Sequence, residues 1–256
     1  MEAKKHIQPY NDRAEAGREL ARAVQSHFRS THRGDAPPPP SAAGYTVPFP
    51  EQVIGLCRGG VPVASSVARQ LGLPMDFLVV RKIASPFNPE LALGALAEGA
   101  PEPAEALNID PFGNHADRGE TLASARKRAA EELQSRLTRY RNHPLSVSGQ
   151  HILLVDDGAA TGATMRAAIQ SMRQHQAKRV TVALPVAPEE TIVELAREAD
   201  GVICPWCPAY FLSVGSHYRH FPQVTDEEVF AALDQSVGAT APTRTSGAQP
   251  DLYGSG

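Results

Sequence analysis

The sequence predicts an α/β protein: a doubly wound, five-stranded parallel sheet in the order 2-1-3-4-5, with a lid loop, a helical insertion and a small C-terminal hood. Two observations carry this. Short apolar runs near residues 53, 77, 152, 180 and 201 read as strands buried on both faces, and helical periodicity separates most of them. Residues 152–165 read Ile-Leu-Leu-Val-Asp-Asp-Gly-Ala-Ala-Thr-Gly-Ala-Thr-Met, a buried strand ending in two carboxylates, a loop of small residues and the start of a helix. With that order, strands 1 and 3 lie side by side at the switch point, where open α/β sheets bind their ligands.

The 256 residues suit one large domain over 1–235 and a Gly/Ser/Thr/Pro-rich, disordered tail over 236–256. A net charge of −3 gives no nucleic-acid footprint. No apolar run approaches a membrane span, and the opening Met-Glu-Ala-Lys-Lys-His lacks a signal-peptide core, so the expected place is the cytoplasm. Three cysteines cannot build a disulfide framework.

In chain order, residues 12–28 read as a helix opened by the capping-box spacing of Asp12 and Glu15, with Ala16, Leu20, Val24 and Phe28 on one face. Residues 30–50, with four prolines at 37–40, form a surface insert. Val53–Leu56 is the first strand. Cys57-Arg58-Gly59-Gly60-Val61-Pro62 then turns into a helix, with Pro62 in its first turn. Gly59 and Gly60 let the backbone approach a ligand or take positive φ, unless the turn is an ordinary one with Arg58 in solvent. Phe77–Val80 is the second strand and ends at Arg81-Lys82, which are phosphate-binding cations or simply solvated ones. Residues 85–95, broken by prolines, read as a lid loop. The insertion over 101–145 begins irregular and continues as a charged helix from about 120 to 141, a solvated face or a dimer contact. Residues 180–186 and 201–204 supply the last two strands, and 189–199 the helix between them.

The chemistry centres on 156–164. Backbone N–H groups of a Gly/Ala/Thr loop converge on an anion, and the following helix adds its positive end. Thr161 and Thr164 can donate hydroxyl hydrogen bonds to the same phosphate, while Asp156 and Asp157 can accept from sugar hydroxyls or help hold Mg²⁺. A structural turn with two solvated aspartates is the plain alternative. A P-loop is excluded, since it needs a lysine that this loop lacks. Cys204-Pro-Trp-Cys207 reads as packed, reduced thiols, and Trp206, Tyr210, Phe211, Tyr218 and Phe221 as hood packing or a stacking surface for a flat base.

Residues 152–164 resemble the phosphoribosyl-diphosphate (PRPP) motif of the type I phosphoribosyltransferases: four apolar residues, two acids, then Thr-Gly-x-Thr. Gly158 departs from it, standing where the family usually has a branched apolar residue. Arg-Gly-Gly-Val-Pro-Val-Ala, Val-Val-Arg-Lys-Ile, Asp12-Arg13-x-Glu15-Ala16-Gly17 and residues 223–229 extend the resemblance over most of 11–233, to one bacterial and archaeal branch of that family. The resemblance implies a sheet of that family's kind and transfer of the phosphoribosyl group from PRPP to a nitrogenous acceptor such as a nucleobase, with release of pyrophosphate, as in nucleotide salvage. It implies that Asp156 and Asp157 bind the ribose hydroxyls and that Gly158, Ala159, Ala160, Thr161, Gly162, Ala163 and Thr164 form the 5′-phosphate loop. Arg58, Gly59 and Gly60 would bind pyrophosphate, in a loop that often carries a cis peptide, and Arg81 and Lys82 would face it together. Arg58, Lys82, Asp156 and Asp157 are the expected catalytic set, with Mg²⁺ as cofactor and a homodimer as the assembly. Glu90 and Glu98 are candidate general bases in the lid. Ala160 stands where hypoxanthine-guanine enzymes often have a carboxylate, which disfavours those two bases. A PRPP-binding regulator without turnover, or transfer to a non-nucleobase acceptor, remains the alternative.

Overall fold

The computed structural model describes residues 8–32, 48–87, 92–108 and 118–237. The parallel strands are β1 (Gln52–Cys57), β2 (Met75–Ala84), β5 (His151–Val155), β6 (Arg179–Ala183) and β7 (Gly201–Ile203). Their buried Val, Ile and Leu runs need cover on both faces, which helices provide. One face carries α1 (Arg13–His32), α2 (Gly60–Leu71), α3 (Arg118–Tyr140) and α6 (Asp226–Val237). The other carries α4 (Ala163–Gln174) and α5 (Glu189–Leu195).

The sheet has seven strands rather than five, in the order β4-β3-β2-β1-β5-β6-β7. β3 (Ala92–Ala97) and β4 (Ala104–Leu107) run antiparallel beyond β2. They arise from segments expected to be lid loop and irregular insertion. Their sequences, Ala-Leu-Gly-Ala-Leu-Ala and Ala-Glu-Ala-Leu, lack β-branched residues and so carry little strand signal. Small side chains suit them here because α4 packs across both strands. A Cβ at Gly94 would lie 2.4 Å from the Ala106 carbonyl oxygen. The lid segment is thus a hairpin arm in part, with residues 88–91, including Glu90, outside the described residues. The proline-rich stretch 33–47 and the tail beyond 237 also lie outside them.

Local signals hold at several ends. The Asp12 carboxylate accepts from the Glu15 N–H at 2.8 Å, and the Glu15 carboxylate accepts from the Asn11 N–H. α6 has the same device, unread in the sequence: Thr225 Oγ1 accepts from the Glu228 N–H, whose carboxylate accepts from the Thr225 N–H. The hood closes over β5 and β6, with Tyr10, Val186 and Tyr218 in its core and Trp206, Phe211 and Phe221 against them.

Where the helical insertion ends, Arg141 ties it to the sheet. Its guanidinium donates to both Asp76 oxygens at 3.0 and 3.1 Å, to the Phe77 carbonyl and to Glu98 at 2.8 Å, above the Phe77 ring. The second Glu98 oxygen accepts from the Val79 N–H. Glu98, expected in the lid as a candidate general base, is instead buried in this network, with both its oxygens engaged. Arg141→Met leaves two buried carboxylates uncompensated, and should cost about 3–5 kcal/mol in urea unfolding.

Candidate active site

β1 and β5 are hydrogen-bonded neighbours, with Gln52 opposite Ile152 and Gly55 opposite Val155. Their carboxyl ends therefore release two loops side by side. From β1 the chain passes through a cis Cys57–Arg58 peptide into Gly59 and α2. From β5 it passes into Asp156 and Asp157.

The two loops touch. A Cβ on Gly59 would lie 2.2 Å from Asp157 Oδ2, and one on Gly60 would lie 2.7 Å from the Val155 carbonyl and 2.8 Å from Asp156 Cα. Gly59 has ordinary helical angles, φ −57° and ψ −37°. It is required by close approach to the acidic pair, a reason different from positive φ.

Asp157 is held from two further directions. Arg13, at the start of α1, donates from Nε to its Oδ2 at 2.9 Å, with its own guanidinium 3.8 Å from the Phe221 ring centre. Tyr218 of the hood donates its hydroxyl to the Asp157 carbonyl. Burial and the neighbouring Asp157 charge push the Asp156 carboxyl well above its usual range. Burial also raises Asp157, against the opposing pull of Arg13.

Beyond the pair the chain forms the loop Gly158–Thr164, and Gly162 at φ +70° starts α4. The first N–H groups of α4 are thus available to an anion. Gly158 has φ +155°, and a Cβ there would meet Val214 of the hood at 2.7 Å. This accounts for glycine where the family resemblance calls for a branched residue: Val214 fills that space from another segment. The Ala160 carbonyl accepts from the Thr191 hydroxyl at 2.5 Å, which fixes the loop to α5.

Two cavities adjoin the two loops, lined by neighbours of the acidic pair and not by Asp156 or Asp157 themselves. One, of about 810 Å³, is lined by Gly158 to Thr164 together with Lys82, Asn108 and hood residues 212–214. The other, of about 420 Å³, is lined by Arg58, Gly59 and Arg81 with Arg13 and Arg136. Arg81 and Lys82, expected to face one diphosphate together, are therefore split by strand alternation, one to each cavity. Arg58 lies 3.4 Å from Asp226 of α6, whose carboxylate is also bound by Arg139 and Tyr140 and held down to about 2 by those hydrogen bonds.

The sequence reading did not assign roles to Arg13, Arg136 or Asp226, and it read Tyr218 as hood packing or a stacking surface, not as a partner of Asp157. Arg13 and Asp226 did fall in stretches that resemble the family, which was the available signal. Trp206 packs on Tyr10 and His217, Tyr218 on Tyr10, and Phe221 on Tyr218, so they are chiefly hood core, whereas Tyr210 is 96% exposed. Cys57 and Cys204 are both pushed up, Cys57 by burial and Cys204 by its hydrogen bond with Cys207 and by burial, which keeps them as thiols.

A phosphoribosyl transferase domain profile matches residues 49–205, which include both loops and the acidic pair. The chain is 40% identical over 230 residues to a Mycobacterium tuberculosis protein provisionally named a phosphoribosyl transferase, in the CDC 1551 and H37Rv strains. That alignment takes in 89% of this chain and 47% of the relatives, so the chain spans about half of their length. The crystal structure of TT1426 from Thermus thermophilus superposes with a TM-score of 0.64 at 36% identity, covering 90% of this chain and 99% of that one. The chain belongs to the phosphoribosyl transferase domain family.

The crowding of the two loops generates two predictions. Gly59→Ala displaces Asp157 from Arg13 and should cost about 1–3 kcal/mol in urea unfolding, the cost of leaving buried polar partners unpaired. Asp156→Asn keeps the acceptor for the Asp157 N–H, observed at 2.9 Å, but removes a charge. Because the folded-state pKa of Asp156 is raised, wild type loses stability as pH climbs from the unfolded carboxylate value, about 3.9, through the folded one. The Asn variant should thus melt higher than wild type at pH 7, and the difference should shrink toward pH 4.

Proposed function

We propose that this protein transfers the 5-phosphoribosyl group from PRPP to a nitrogenous acceptor, a nucleobase, and releases pyrophosphate. The observation that carries the reading is the contact of the glycine turn with the acidic pair, which puts a phosphate-type loop on one side and an arginine-lined cavity on the other. In this reading the 5′-phosphate is held by the N–H groups of Ala160–Thr164 and by the hydroxyls of Thr161 and Thr164, at the positive end of α4. Asp156 and Asp157 accept from the ribose hydroxyls. Arg58 and the first amides of α2 face the diphosphate, and Lys82 approaches from the phosphate-loop side.

Displacement at the anomeric carbon builds negative charge on the leaving diphosphate and positive charge on the ring. Fixed cations and amides oppose the first, while the buried carboxylates stand near the second. No protein nucleophile is required. Among the described residues no group of three metal-ligating side chains stands together, and Asp157 is already engaged by Arg13. Such a donor set fits Mg²⁺, which takes one or two carboxylates and fills its sphere with substrate phosphates and water. When bound, the ion supplies further charge neutralisation of the diphosphate.

For the acceptor, Ala160 offers no carboxylate to a base, which disfavours hypoxanthine and guanine. The cavity wall at 212–214 comes from the hood. We take the working form as a cytoplasmic homodimer. No helix among the described residues is long and apolar enough to cross a membrane.

Incubation with PRPP, Mg²⁺ and a panel of purine and pyrimidine bases should release pyrophosphate with one of them. The Asp156→Asn, Asp157→Asn double variant should be at least about 100-fold slower, since it loses charged partners of two hydroxyls. PRPP binding without release across the panel would favour a regulator or a different acceptor. No PRPP binding at all would overturn the reading.

A further inference from the structure

Four guanidinium groups from four separate elements line the 420 Å³ cavity: Arg13 of α1, Arg58 after β1, Arg81 of β2 and Arg136 of α3. Among the described residues, no carboxylate lines it. Three of the four have an acidic partner placed elsewhere: Arg13 on Asp157, Arg58 on Asp226 and Arg81 on Glu132. Arg136 makes no hydrogen bond or ion pair among the described residues, and Arg81 Nε is buried with no partner there. Arg136 also lines an adjoining 280 Å³ hollow with Arg58, Glu132, Arg139, Tyr140 and Asp226, so the carboxylates lie on that side of it and the first cavity on the other.

With the acidic partners of three of these arginines set back from the cavity, its wall presents cationic groups to whatever enters it. Burial and the charges of Arg81 and Arg58 pull the Arg136 pKa down, the direction expected of an under-compensated cation. Guanidinium forks match pairs of phosphate oxygens, and several converging forks suit a multiply charged, many-oxygen anion better than a single carboxylate.

The geometry points to Arg136, supplied by the helical insertion, as a further diphosphate-binding residue of this site. This rests on the PRPP reading above and extends it. The insertion helix then contributes to substrate binding and is more than a solvated cover on the sheet.

The test is calorimetry on the full chain with Mg²⁺, using inorganic diphosphate and ribose 5-phosphate as separate probes, for wild type, Arg136→Gln and Arg136→Lys. Thermal unfolding of each variant checks the fold. The expected result is a loss of diphosphate affinity of about 10–100-fold in the Gln variant, the range for a hydrogen bond to a charged group. The Lys variant should fall between, with ribose 5-phosphate binding unchanged throughout. Unchanged diphosphate affinity in Arg136→Gln, with both probes still bound, overturns the inference and leaves the PRPP reading standing. Parallel loss of both probes, or of the fold, assigns Arg136 a structural role and also overturns it. Failure of wild type to bind either probe or PRPP removes the PRPP reading itself, and this inference with it.

Discussion

The contact between Gly59 and the Asp157 carboxylate is the constraint on which the rest of the site depends. It exists because β1 and β5 are neighbours although almost a hundred residues of chain separate them. The intervening chain leaves on one side, through β2, β3 and β4, and the chain after β5 leaves on the other, through β6 and β7. A crevice at that divergence is a consequence of the topology. What this sequence adds is closeness: two glycines without side chains let the turn after β1 sit on the acidic pair, and any Cβ would separate them.

Closeness has an energetic consequence. Burial raises the protonation of both adjacent aspartates, and the Asp157 charge raises that of Asp156 further. A protein selected only for stability would remove one of them. Arg13 offsets part of the cost for Asp157, and the Asp156 oxygen that accepts from the Asp157 N–H offsets a little more. The remaining cost on Asp156 is of the kind that functional sites carry at the expense of stability.

Much of the core was legible because its signals are local. Buried apolar runs marked β1, β2, β5, β6 and β7, and the small-residue loop marked the turn from β5 into α4. The misses have physical causes. β3 and β4 are built from alanine, glycine and leucine, and form strands because α4 lies on them, a tertiary reason with no local trace. The split of Arg81 from Lys82 follows from strand alternation once β2 continues to Ala84, beyond the expected end at Val80. Gly158 looked like a departure from the motif; its explanation lies in Val214, more than fifty residues away. By contrast, the Thr225–Glu228 capping box was a local signal that went unread, and α6 with it.

The flanks explain why the resemblance runs beyond the matched domain. Residues 49–205 supply the two loops, but neither loop is held by that region alone. Asp157 is clamped by Arg13 and Tyr218, and Arg58 by Asp226, all three from outside it. Asp226 also binds Arg139 and Tyr140, so the C-terminal helix joins the insertion helix and the glycine turn through one carboxylate. The core thus provides backbone that can cradle an anion, and the flanks set where its charged side chains rest. Differences among proteins that share this core should accordingly concentrate in the flanks and the insertion, because the charges facing the crevice are held in place from there.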